Sequence, residues 1–135
     1  MNYWLIKSEP STWSWDDQKK AKKTVWDGVR NYQARNNLIK MKKNDLCFFY
    51  HSVKEKKILG IVKVIKEAYP DPTDKTKKFV AVTVQIYKNL KKEVSLANIK
   101  INKNLNHLPL IKQPRLSVMK IDLKSWKIIC KLGEV

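Results

Sequence analysis

Residues 79–87 read FVAVTVQIY, and Val80, Val82, Val84 and Ile86 alternate there with Phe79, Ala81, Thr83 and Gln85. A period of two, uninterrupted by Pro or Gly, is the pattern of a β-strand whose two faces meet unlike surroundings. Such a strand needs partners, and they lie on both sides of it in the chain. Leu46 to Tyr50 and Ile58 to Lys66 are rich in aromatic and β-branched residues. The polar stretch Val53 to Lys57 joins them, which predicts a hairpin with Gly60 at a bulge. Tyr3 to Lys7 reads as a short strand stopped at Glu9-Pro10, and Leu116 to Ile121 as another.

Helix signals punctuate these strands. Ser14-Trp15-Asp16-Asp17 offers a capping box for a short helix through about Lys22. Asp27-Gly28 makes a turn, and Asn31 caps a helix from Tyr32 to about Met41, with Lys40, Lys42 and Lys43 at its negative end. Ser95 caps a short helix through Ile101. A last helix runs from Asp122 to near Gly133 with Leu123, Trp126, Ile129 and Cys130 on one stripe. Five or six strands interleaved irregularly with helices indicate an α+β fold on a curved sheet or barrel, not a regular βαβ series. With 135 residues and no repeat or linker, residues 1–135 are expected to form a single domain.

The formal net charge is +17 at pH 7, which favours a polyanionic partner, nucleic acid first. Lysine supplies most of that charge on solvated faces, so the three arginines, Arg30, Arg35 and Arg115, stand out as selected planar forks. Cys47 and Cys130 each lie in an apolar run without CxxC spacing, as buried reduced thiols would. No charged-then-apolar leader opens the sequence and no apolar run approaches a membrane span, so a soluble, cytoplasmic monomer without a membrane partner is expected. Three glycines cannot write a P-loop or a dinucleotide fingerprint, and His51 and His107 lack metal-ligand spacing; no metal and no cofactor are expected. His51 and Ser52 are strand neighbours pointing to opposite faces, which argues against a nucleophile and base pair.

Five Trp and five Tyr exceed what so small a core requires. Trp4 and Trp126 suit core packing. Trp13, Trp15 and Trp26 fall in turn or cap positions, where a ring can stack on a ligand, and Trp26 sits in VWDGVRNYQARN (25–36) beside two of the three arginines. Flat rings with Asn, Ser and Arg nearby are what a protein needs to sandwich a base and read its edge.

Five stretches, Tyr3 to Pro10, Val25 to Asn36, Phe48 to Ser52, Lys66 to Thr73 and Arg115 to Val118, together resemble the successive motifs of the EVE domain family, in family order and over almost the whole chain. The resemblance implies a PUA-like pseudo-barrel of about six strands with peripheral helices, related to the YTH readers of methylated adenine. It implies a pocket for a modified base in DNA or RNA, with no catalytic group or cofactor. Two features depart from the family pattern. The segment Asp74 to Lys78 is short where many relatives carry an insertion, which is expected to reduce one wall of the pocket, and Met119-Lys120 replaces the usual continuation of the last strand.

On this resemblance Trp26 supplies a stacking face, and Asn31 with the helix N-terminus supplies directed donors. Arg30 or Arg35 holds a backbone phosphate or an acidic side chain that braces the site, and Arg35 is read as a brace to a carboxylate such as Asp27 or Glu9. Arg115 joins these as a phosphate or bracing group. Tyr32 lines the pocket or packs beneath it. Ser8, Tyr50, His51 and Ser52, at neighbouring strand ends, meet the same opening as edge-reading groups. The alternatives are an enzyme acting on a nucleobase or nucleotide with His51 as acid or base, and a docking module that binds nucleic acid by charge without selecting a base.

Overall fold

The computed structural model describes all 135 residues. Its elements are β1 (Tyr3–Ser8), α1 (Trp15–Ala21), β2 (Lys23–Trp26), α2 (Tyr32–Lys40), β3 (Leu46–His51), β4 (Lys57–Pro70), β5 (Val80–Ser95), α3 (Leu96–Ile101), α4 (Pro109–Lys112), β6 (Val118–Ile121) and α5 (Leu123–Leu132). The strands make one six-stranded sheet in the order β2-β5-β4-β3-β1-β6. β1 and β3 are parallel and every other pair is antiparallel. The edges β2 and β6 do not pair with each other. α2 packs against β4, β5 and β6 instead, so the curved sheet is closed by a helix and not by hydrogen bonds. This is the α+β pseudo-barrel that the sequence implied.

The strands around FVAVTVQIY form as expected but run longer. β4 continues to Pro70 and β5 to Ser95, and their pairing shifts register at four places, one of them at Gly60. Each shift adds bend and twist, which lets one long hairpin wrap the core. The extension was hidden because residues 87–89 and 91–93 are exposed and mostly polar, so the alternation stops while the ladder does not. The predicted caps form: Ser14 and Asp17 make a reciprocal capping box, and Asn31, Ser95 and Asp122 each accept a backbone N–H at their helix starts.

Three expectations are corrected. Lys23–Trp26 is an edge strand, not part of a turn, because its backbone pairs with β5 from Lys23–Gln85 to Trp26–Val82. Leu123 is 50% exposed, so only Trp126 and Ile129 of the expected stripe are buried in the core, with Cys130 partly covered. β6 starts at Val118, with Leu116 buried in the turn before it; Met119 and Lys120 sit within the strand, paired to β1.

Trp4 and Trp126 are core residues, and Trp126 stacks on Phe48 at 3.9 Å between centroids. Trp15 is one as well, contrary to its reading as a stacking face for a ligand. Its ring tilts against Phe49 at 5.0 Å, its Nε1 donates to Asn89 at 2.7 Å, and its six-membered ring lies directly over Gly60. A Cβ at position 60 would fall inside that ring's van der Waals surface. Packed on Phe49 and bonded to Asn89, the ring cannot move aside without giving up those contacts. Gly60→Ala is therefore expected to destabilise the protein by about 1–3 kcal/mol in a urea titration. Combining it with Trp15→Leu should cost less than the two single losses added together; strict additivity would show that the ring and the glycine do not meet.

Candidate nucleic-acid interface

A cavity of about 530 Å³ opens where β1 and β2 end. β1 and the turn after it contribute Lys7, Ser8, Glu9, Thr12 and Trp13; β2 and its continuation contribute Thr24 to Arg30; Ser117 comes from the turn before β6. Short hydrogen bonds fix this rim. Ser8 Oγ donates to the Trp13 carbonyl at 2.5 Å, the Lys7 N–H donates to the Ser117 carbonyl at 2.9 Å, and Lys7 Nζ donates to the Pro114 carbonyl at 2.8 Å. Burial, and to a lesser extent Lys56, holds the Lys7 ammonium below its usual range.

Two indoles stand in the wall. Trp26 closes β2 and is only 7% exposed, meeting Phe49 edge to face at 5.6 Å and 82°. Trp13 is half-buried, and its Nε1 donates to Gln18 Oε1 at 3.0 Å. Gln18 is fully buried and donates in turn to the Lys22 carbonyl at 3.0 Å, so the Trp13 ring is held by α1 from behind. Thr24, two residues before Trp26 on β2, carries a buried hydroxyl with no partner in the protein.

The floor depends on one buried carboxylate. Gly28 takes φ +79°, a left-handed conformation that favours glycine, and its N–H donates to Asp71 Oδ2 at 2.8 Å. Asp71 also accepts from the Thr73 N–H at 2.7 Å, the Thr73 hydroxyl at 2.6 Å and Arg30 at 3.0 Å. Burial alone would raise the Asp71 carboxyl; the hydrogen bonds from Thr73, Gly28 and Arg30 outweigh it and hold the group below the usual carboxylate range. Arg30 donates a further bond to Thr73 at 3.0 Å, so Asp71-Pro72-Thr73 is the brace for Gly28-Val29-Arg30.

Of the residues expected at the site, Ser8, Trp26 and Arg30 line this cavity. The others do not. His51 was expected at the same opening, and the register does set it beside Ser8. The loop Trp13-Ser14-Trp15 passes across these strand ends, however, bonding Ser8 through Trp13 and His51 through the Trp15 N–H, which donates to Nε2 at 2.9 Å. His51 thereby lines a separate cleft of about 370 Å³ that also holds Trp15, Lys57 and Glu93. Its Nδ1 is buried without a partner, and burial holds its pKa below the usual value. Ser52 uses its N–H on the Ser8 carbonyl at 2.9 Å. Tyr50 is buried on the opposite face of β3 near the Lys7 ammonium, and burial pushes its phenol up to about 12.

The helix side is rearranged too. Asn31 spends its side-chain oxygen on the Ala34 N–H at 2.9 Å. Tyr32 is 53% exposed and lies on Phe79, outside the cavity. Arg35 reaches neither Asp27 nor Glu9; it donates to Asn36 Oδ1 and the Lys78 carbonyl, and the carboxylate brace belongs to Arg30. Arg115 is exposed in the turn before β6. None of residues 74–78 lines the cavity. Trp13, Thr24 and Asp71 were missed as site residues. Trp13 had already stood out among the aromatics, whereas nothing local marks Thr24.

Both cysteines are free, no group of three or more His, Cys, Asp or Glu could hold a metal ion, and no helix is long and apolar enough to cross a membrane. Comparison with known proteins agrees with the fold. The chain is 36% identical to thymocyte nuclear protein 1 of Mus musculus over 167 residues, covering 98% of the chain and 74% of the relative. Among solved structures, a protein from Agrobacterium tumefaciens superposes with a TM-score of 0.94 at 38% identity, covering all of this chain and 94% of that one. The human THYN1 protein, solved in complex with 5-methylcytosine containing DNA, superposes at 0.92 with 34% identity, covering 100% and 99% of the two chains. The YTH domain of Zygosaccharomyces rouxii MRB1 superposes at 0.62 with 15% identity over 99% of this chain and 85% of that one, a likeness of fold alone. The EVE domain model matches residues 2–132, from the first strand through the last residue of α5, and the chain belongs to the EVE domain family.

Proposed function

We propose that this protein is a nucleic-acid-binding reader that takes one modified base into the cavity between β1 and β2. The observation that carries the reading is the pairing of two wall indoles, Trp13 and Trp26, with the unpartnered Thr24 hydroxyl in a space of about 530 Å³. A flipped base is recognised by the same combination, stacking surfaces for its faces and polar groups for its edge. Asp27 and Glu9 offer acceptors for an exocyclic amine, and Lys7 and Arg30 place positive charge at the rim for the phosphates. The net charge of +17 favours a polymeric anion over a free nucleoside. The complex of the human relative makes 5-methylcytosine in DNA the first base to test.

The test is capture. Cellular DNA and RNA bound by the purified protein are digested, and their nucleosides are quantified by mass spectrometry against the input. A modified base should be enriched by the wild type. Trp13→Ala should lose that enrichment, with affinity for the preferred strand falling about ten- to a hundredfold, the cost of one base-stacking contact. Recovery of modified and unmodified bases in their input ratio would leave only docking by charge. Nucleoside turnover abolished by His51→Ala would make the protein an enzyme instead.

A further inference from the structure

Beside the cavity, four side chains form a row, and of these only Arg30 also lines the base pocket. Arg30 lies over the Phe79 ring at 5.3 Å, Phe79 and Tyr32 lie against each other at 5.0 Å and 31°, and Arg35 lies over Tyr32 at 4.8 Å. The row joins the start of α2 to the start of β5. Arg30 is fixed by Asp71 and Thr73, and Arg35 by the Lys78 carbonyl, so the guanidinium groups are held in place and not free to wander. Tyr32 is more than half exposed, and the Arg30 side chain is 42% exposed. Lys75, Lys77 and Lys78 are exposed in the loop that leads into Phe79. The nearby Asp74 carboxylate is engaged by its own loop, accepting from Thr76, the Lys78 N–H and the Phe79 N–H.

We propose that this row is a second subsite, a stacking platform for the nucleotide next to the captured base. Arg30 belongs both to the cavity rim and to the row, so the two are continuous. Withdrawing a base from its strand strips its neighbour of one stacking partner. An exposed aromatic ring backed by guanidinium groups replaces that partner, and the adjacent cations meet the phosphate between the two nucleotides. The occupant is a single-stranded or locally unpaired segment, because a base inside an intact duplex already has both faces covered. The proposal rests on the reading of the cavity as a base pocket.

Single-stranded DNA 9-mers with 5-methylcytosine at the centre test it by fluorescence anisotropy. One strand is intact, and two carry an abasic sugar immediately on the 5′ or the 3′ side. Wild-type protein should bind one of the abasic strands about tenfold more weakly than the intact strand. Tyr32→Ala should weaken the intact strand by the same factor and leave that abasic strand unchanged. Tyr32→Phe, which keeps the ring, should bind as the wild type does. The platform is overturned if Tyr32→Ala binds every strand as the wild type does, or weakens intact and abasic strands alike. The pocket is read separately, from the preference for 5-methylcytosine over cytosine and its loss in Trp13→Ala. If that preference is absent the pocket reading for this base fails, while the dependence of Tyr32 on the neighbouring base is still measured.

Discussion

Trp26→Ala is expected to lower stability by about 3–5 kcal/mol, the usual cost of emptying a buried tryptophan site. Read from its neighbours Asp27-Gly28, this indole belongs to an open turn and should be removable at little cost. The structure reverses that expectation. Trp26 is the last residue of an edge strand only four residues long, its backbone pairs with Val82, and its edge meets the Phe49 ring. Losing it empties a buried site and removes the ring contact with Phe49 at the end of β2. For a domain of this size such a loss is a large part of the total stability. Urea unfolding would show it as a lower midpoint, and a midpoint equal to that of the wild type would mean that the ring is not part of the core. Binding tests on Trp26→Ala would confound folding with recognition, which is why Trp13, only partly buried and held by Gln18, is the better probe of the cavity.

Asp71→Ala should cost about 2–3 kcal/mol of stability and also weaken binding, through loss of hydrogen bonds to a charged, buried acceptor. The four donors of Asp71 come from three residues, and two of those, Gly28 and Arg30, line the cavity. Part of the Arg30 attraction is screened by water, so the figure excludes the larger cost of breaking a fully buried ion pair. Asp71→Asn should cost less, since the amide keeps the shape and one acceptor.

The pH dependence has a definite sign. The Asp71 carboxyl is depressed in the folded state, so its contribution is fully present above the unfolded value of about 3.9 and is lost as pH falls through the lower folded value. The stability gap between wild type and Asp71→Asn should therefore be full at pH 7 and shrink below about pH 4. A gap that stays constant into acid would show that the charge at Asp71 does not brace the site.

Much of this molecule was legible in one dimension because the relevant forces are local. The alternation at 79–87 fixes a strand, and Ser14, Asn31, Ser95 and Asp122 fix four helix starts, because an N-cap satisfies its backbone donors within three residues. The ordered motifs carried the family and with it the pseudo-barrel. β2 was not legible. A four-residue edge strand with the sequence Lys-Thr-Val-Trp is specified by the ladder it joins, and that ladder is supplied by residues 82–85, far away in the chain.

The candidate site divides in the same way. Ser8, Trp26 and Arg30 could be picked out from residue type and position in a motif, since they sit at the ends of strands or in a turn and face the opening they border. Whether His51 joined them depended on where the Trp13-Ser14-Trp15 loop crosses, and two hydrogen bonds, Ser8 to Trp13 and Trp15 to His51, place it so that one expected opening becomes two. Which arginine is braced depended on Asp71, 41 positions from Arg30, being buried beneath the turn at Gly28. The sequence by itself determined five of the six strands, the caps, the basic charge and the family, all encoded in neighbours along the chain. The tertiary structure alone decided which side chains share a cavity, because burial and long-range hydrogen bonds depend on distances in space that no local pattern specifies.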